Sequence, residues 1–152
     1  MLTPRDFIVA TVAVFGTVAV MAFAQSTKPK PVMHSSVFAW DNLKVESKPT
    51  GERREVFDAP TATLDRFECH ITTLNPGEAP HAPHRHPEEE MMILKEGTLD
   101  VLQNDKTTRL EAGGIIFCAS NELHGLRNVG KDRATYFVFK FYPPGLAKAE
   151  SK

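Results

Sequence analysis

The sequence predicts an all-β domain, a single antiparallel barrel or sandwich, preceded by a separate N-terminal segment. Three observations predict it. From Val37 onward the chain breaks into short runs of β-branched and aromatic residues separated by Gly, Pro, Asn and Asp. No stretch of about ten residues in that region holds a 3.6-residue apolar pattern. No internal repeat is present, so one barrel per chain is expected.

The elements follow in order. Phe7 to Ala24 carries no charged residue, Arg5 precedes it, and Ala22-Phe23-Ala24 forms an A-x-A cleavage site before Gln25. Residues 1–24 therefore read as a secretory signal peptide. The apolar run is also just long enough to span a bilayer as a retained anchor, and Asp6 offsets Arg5. Residues 25–36, with Lys28, Pro29, Lys30 and Pro31, read as a linker, and residues 143–152 as a C-terminal tail. The folded domain, residues 37–142, is expected outside the cytoplasm, periplasmic or secreted, touching a membrane only through an uncleaved N-terminal segment.

Val37-Phe38-Ala39-Trp40 reads as an edge strand that pairs between subunits, or as a segment covering its own barrel. In Leu64 to Leu74, Phe67, Cys69 and Ile71 alternate with Glu68, His70 and Thr72, before a turn at Asn75-Pro76-Gly77. Glu90 to Lys95 is a strand stopped at Gly97. Thr98 to Gln103 and Thr107 to Leu110 flank the hairpin signal Asn104-Asp105-Lys106. Ile115 to Cys118 and Thr135 to Tyr142 are further strands, the last ended by Pro143-Pro144-Gly145. Phe67, Phe117, Phe137, Phe139 and Phe141 read as core. Cys69 and Cys118, each within an apolar strand, read as free buried thiols. With a net charge of −1 and scattered Lys and Arg, the chain lacks the footprint of a nucleic-acid binder.

Chemistry concentrates in two stretches. His84 and His86 are two apart and share one side of an extended chain. Glu90 follows after a turn through Pro87, and His124 lies downstream between Gly113 and Asn128. Three imidazoles and a carboxylate make a mixed nitrogen and oxygen site suited to a divalent first-row metal.

These stretches resemble the two motifs of the cupin superfamily. His84, His86, Glu90 and Gly97 match the first motif, with six residues rather than five between Gly77 and His84. Gly113, His124 and Asn128 match the second, with Ala119 in the usual proline position and Asn121 in place of glycine. Asn tolerates the left-handed turn that this position requires. The resemblance spans roughly Val37 to Tyr142 and implies a jelly-roll barrel, a homodimer, and His84, His86, Glu90 and His124 as ligands of one metal. Such a set suits Mn²⁺ or Fe²⁺, and Zn²⁺, Ni²⁺ and Cu²⁺ also bind it.

His81 and His70 are the candidate catalytic groups. His81 is a proton shuttle at the barrel mouth or an exposed loop histidine; His70 lines the cavity or faces solvent. Tyr136 and Tyr142 are further titratable candidates. Glu88 and Glu89 are expected in solvent, with Glu89 the better placed to support Glu90, and His34 has no assigned role. If Glu90 points inward, Met92 and Leu94 do too; if His124 does, Leu126 and Asn128 follow. The metal's neighbours are then apolar, with no cation to hold a small dicarboxylate, which counts against oxalate-type substrates. The expected protein is an exported metal-dependent enzyme acting on a small oxygen-chelating organic substrate by dioxygenation or by lyase or isomerase chemistry. The alternative is a non-catalytic metal- or ligand-binding barrel of the cell envelope.

Overall fold

The computed structural model describes residues 31–146. The expected signal peptide, the first half of the linker and the end of the tail lie outside the described residues. Nine strands follow one another: β1 (Val45–Lys48), β2 (Gly51–Ala59), β3 (Arg66–Leu74), β4 (Glu89–Glu96), β5 (Thr98–Gln103), β6 (Lys106–Glu111), β7 (Ile115–Cys118), β8 (His124–Asn128) and β9 (Ala134–Tyr142). They form a six-stranded sheet ordered β1-β2-β3-β9-β4-β7 and a three-stranded sheet ordered β6-β5-β8. Every pairing is antiparallel. The last strand returns to lie between β3 and β4, which is the crossover of a jelly-roll barrel.

The interior lies between the two sheets. Leu94 and Leu99 are wholly buried there, packed in one cluster with Leu74, Met92, Val101, Ile116, Leu126, Tyr136 and Val138. Each large aliphatic buried in this way contributes about 1.5–3 kcal/mol. Gly97 joins β4 to β5 at φ +91°, where a Cβ would come within 2.6 Å of Ala134, so both backbone angle and space require glycine. The hairpin between β5 and β6 turns through Asn104 and Asp105, with Asn104 at φ 54°. Lys106 belongs to the second strand.

The phenylalanines differ from expectation. Phe67, Phe137, Phe139 and Phe141 are half-buried on the outer face of the larger sheet, and Phe117 is 53% exposed there. Register explains it: Phe67 pairs with Phe141 and Cys69 with Phe139, while Glu68 faces Lys140 and His70 faces Val138 on the inner side. Ring centroids 5.2 Å apart between Phe67 and Phe141, and 4.9 Å apart between Phe57 and Phe67, make an aromatic ladder outside the barrel.

Val37–Trp40 is not an edge strand. Val37 to Ala39 has no strand pairing and Trp40–Asn42 is a 3-10 turn. The segment lies as a strap across its own outer face, Phe38 on Phe57 (5.4 Å) and Trp40 on Phe137 (6.4 Å). The sheet edge belongs instead to the exposed β1, where Glu46 and Lys48 discourage edge-to-edge pairing. Cys69 and Cys118 are free and buried, as expected. Burial pushes their thiols up to about 11 and about 12.

Candidate metal centre

The loop before β4 is stitched onto β8. His84 and His124 exchange backbone hydrogen bonds of 3.0 Å in both directions, and the Asn121 amide donates to the His86 carbonyl at 2.8 Å. Asn121 sits at φ 60°, the left-handed conformation expected of it. Arg85 donates to the Asn121 carbonyl at 2.7 Å. Two histidines from a loop and one from a strand are thereby brought to one place.

Hydrogen bonds then fix the rings. His86 Nδ1 donates to the Glu88 carbonyl at 2.8 Å and His124 Nδ1 donates to the Glu122 carbonyl at 2.9 Å. A carbonyl only accepts, so each Nδ1 carries the proton and each Nε2 is left with a lone pair. His86 Nε2, His124 Nε2 and His84 Nδ1 are buried without a hydrogen-bond partner. One ring nitrogen from each of these three histidines falls within 4.8 Å of the others. Ligands on opposite sides of an ion at about 2.1 Å each stand about 4.2 Å apart, so the cluster closes onto a first-row divalent ion with small side-chain shifts. Orphaned buried imidazole nitrogens are otherwise costly. The residues fit a metal.

Burial, reinforced by His81, His124, His86 and Lys140, holds the His84 imidazole down to about 4, so it is neutral and able to coordinate near neutral pH. Glu90 is buried beside this trio, with Oε2 3.3 Å from His86 Nε2 and 3.2 Å from Lys140 Nζ. Burial opposes its ionisation, but its charged surroundings, the Lys140 ammonium among them, outweigh that and hold the carboxyl at about 2. The grouping of mutually close ligand atoms consists of the three histidines and does not extend to Glu90.

Two expectations about the surroundings are corrected. Glu88, not Glu89, backs the site: Glu89 is exposed, whereas Glu88 is 8% exposed and accepts from Tyr142 Oη at 3.0 Å and Lys140 Nζ at 3.3 Å. The strand period of two carries the inward direction of Glu90 back to Glu88. The metal's neighbours are also not purely apolar. Lys140 from β9 and Arg53 from β2 line the same cavity as Met92, Val101 and Leu126, so the argument against dicarboxylates fails. Parity along β4 and β8 could not see cations supplied by other strands.

The cavity measures about 670 Å³ and admits His84, Glu90 and His124 on one side and Glu68, His70 and Tyr136 on another. His70 therefore lines the cavity, 7% exposed, with Nδ1 3.1 Å from Glu68 Oε1. Glu68 also accepts from Arg53 and Arg66, each at 3.0 Å. The His70 bond, with Arg53 and against burial, lowers its carboxyl to about 2. His81 is exposed at the cavity rim, its ring 4.3 Å from that of His84. Tyr136 is a buried phenol whose pKa is raised by burial. Tyr142 faces Glu88 and Arg66, outside the cavity lining.

Comparison with known proteins bears on this geometry. The family described as "Cupin domain" matches residues 70–140, which contain the whole histidine cluster. That segment resembles a cupin domain, and the fold around it is that of the cupins. The chain is similar in fold to KdgF from Halomonas sp., with 16% identity, TM-score 0.61, and 75% of this chain and 100% of that one covered. It is likewise similar to the polyketide cyclase RemF from Streptomyces resistomycificus, with 20% identity, TM-score 0.59 and coverage of 79% and 88%. A predicted oxalate decarboxylase from Thermotoga maritima matches at 18% identity, TM-score 0.58 and coverage of 70% and 99%. No curated protein matches the chain.

Proposed function

We propose that this protein is an exported metal-dependent enzyme that moves a proton on a small, oxygen-chelating organic substrate, in lyase or isomerase chemistry. The observation that carries the reading is the Glu68-supported His70 facing the same cavity as His84 and His124 of the histidine cluster. A non-catalytic metal barrel has no use for a second, carboxylate-oriented imidazole in its cavity. The solved relatives named as a polyketide cyclase and a predicted oxalate decarboxylase support small oxygen-rich substrates in general, without choosing one.

His84, His86 and His124 would hold a divalent ion, which would supply Lewis acidity toward a substrate carbonyl. The protein's own groups do the rest. His70 gives Nδ1–H to the Glu68 carboxylate, which leaves Nε2 as the basic nitrogen. In the register, His70 stands opposite Val138, which stands opposite Met92, two residues from Glu90. Two strand spacings, about 10 Å, separate the backbones of His70 and Met92, and the cavity of about 670 Å³ has room for a small molecule. A C–H next to the carbonyl gives its proton to His70 Nε2 while the bond's electron pair moves toward the oxygen. Glu68 stabilises the resulting imidazolium, Arg53 holds Glu68 in place, and His81 at the rim exchanges protons with solvent. Mn²⁺ or Fe²⁺ suits the nitrogen set with open positions. An acid–base pair in place of a dry oxygen pocket favours this branch over dioxygenation.

We further propose that the domain is exported through residues 1–24 and pairs with a second copy. The surface offered to that copy is the part of the outer face beyond the strap, where Ile115 is 65% and Phe117 53% exposed on β7.

Hydrogen exchange into deuterated water tests the enzymatic reading. Small hydroxy- and keto-carboxylates are incubated with Mn²⁺-loaded protein and followed by proton NMR. Exchange of an α-proton that is lost in His70→Asn is expected. Binding of such compounds with no exchange in any would leave the non-catalytic barrel.

A further inference from the structure

Lys140 is a cation inside a barrel where a cation-binding site is proposed. Its side chain is 18% exposed, and its Nζ lies 3.3 Å from Glu88 Oε1 and 3.2 Å from Glu90 Oε2. Register fixes the arrangement: Lys140 stands opposite Glu90 on one side and opposite Glu68 on the other. Glu88 is secured independently by Tyr142. The ammonium is thus anchored from behind and holds Glu90 from the side away from β7.

Placing a fixed ammonium within 3.2 Å of a ligand carboxylate weakens a metal site in two ways. The ammonium draws on the carboxylate's charge, and it repels the incoming dication. A site built for tight four-ligand binding would carry a neutral hydrogen-bond donor there. The three imidazole lone pairs form their cluster without Glu90.

We propose that Lys140 is a positioning residue that withholds Glu90 from the metal, leaving the three histidines as the resident ligands and Glu90 as a displaceable fourth. The inference rests on the metal reading above and concerns how the site is kept open. A substrate oxygen then competes with a carboxylate already engaged by an ammonium, so the position facing Glu90 is the one that substrate enters. Glu88 and Tyr142 keep Lys140 from following Glu90 when it moves.

The test is a double-mutant cycle on metal affinity, with Co²⁺ as the probe, read by calorimetry and by the intensity of the visible Co²⁺ bands, which fall as coordination number rises. Lys140→Met should bind Co²⁺ about tenfold more tightly and with weaker bands, because Glu90 is released to coordinate. Glu90→Gln alone should change affinity less than about threefold, and Glu90→Gln combined with Lys140→Met should lose the gain. Lys140→Arg, which keeps the charge and spares the fold, should match the wild type. A Lys140→Met gain that persists with Glu90→Gln would reduce Lys140 to plain charge repulsion and overturn the proposal. Equally fatal would be a tenfold loss in Glu90→Gln alone, or no gain in a folded Lys140→Met. Wild-type protein that binds no Co²⁺ would instead remove the metal reading itself.

Discussion

Strand β9 presents two surfaces that reverse the usual pattern of a barrel. Its outward side chains are Phe137, Phe139 and Phe141; its inward ones are Tyr136, Val138, Lys140 and Tyr142. Inside, moving along the barrel, apolar rows of Leu94 and Tyr136 give way to Met92 with Val138 and His70, then to Glu90 with Lys140 and Glu68. The interior is thus a sealed apolar floor beneath a charged chamber, and the exterior carries the aromatic ladder. Hydrophobic burial alone would put the phenylalanines inside. Their outward placement leaves the inner end of the sheet to the paired charges of Glu68, Glu90 and Lys140, while the strap covers part of the aromatic face outside.

The sharpest way to break this contrast is at the chamber. His124→Ala or His84→Ala should abolish stoichiometric metal binding while the barrel stays folded, measured by elemental analysis of purified protein beside circular dichroism. Full occupancy in either variant would show that the histidine cluster is not the site. On the floor, Leu94→Ala should cost about 2–5 kcal/mol, whereas Ile115→Ala on the outer face should stay within about 0.5 kcal/mol for a folded monomer. Urea denaturation of both reads the contrast directly; equal losses would erase it.

The charged chamber also predicts an acid dependence. Glu68 is held at about 2 against a usual 4.5, so its contribution is fully present above 4.5 and drains away as pH falls from there toward 2. In metal-free protein, Glu68→Gln should be less stable than the wild type at pH 6 by on the order of 2 kcal/mol. That gap should close as pH approaches 2. A gap independent of pH would mean that Glu68 acts by packing, not by charge. The smallest expected effect on the fold lies outside: Phe117→Lys should leave melting and metal content nearly unchanged yet shift a dimer to monomer in light scattering. An unchanged mass would remove the outer face as the pairing surface.

The histidine cluster was legible because its residues are packed into two short stretches, and local spacing survives whatever the tertiary fold does. Asn121 was legible for the same reason, since a turn demands its own conformation. What stayed hidden came from strands whose sequence does not advertise their direction. β9 reads as one apolar run, so the inward turn of Lys140 depends on register with β3 and β4. β2 begins Gly51-Glu-Arg-Arg-Glu55, with no apolar alternation to mark it as a strand, because its inner side chains meet charges across the chamber. Glu88 could have been found: the same parity that carried Glu90 forward to Met92 runs backward as well. The strap stayed open between an edge strand and a cover over its own barrel, because β-branched and aromatic composition signals burial against a sheet as readily as membership of one.

Trp40 is the only tryptophan in the chain. It lies on Phe137, with the Lys95 ammonium 4.2 Å and the Arg54 guanidinium 4.9 Å from its ring. Its fluorescence is therefore a private gauge of whether the strap is seated, blind to what happens in the chamber on the other side of the sheet.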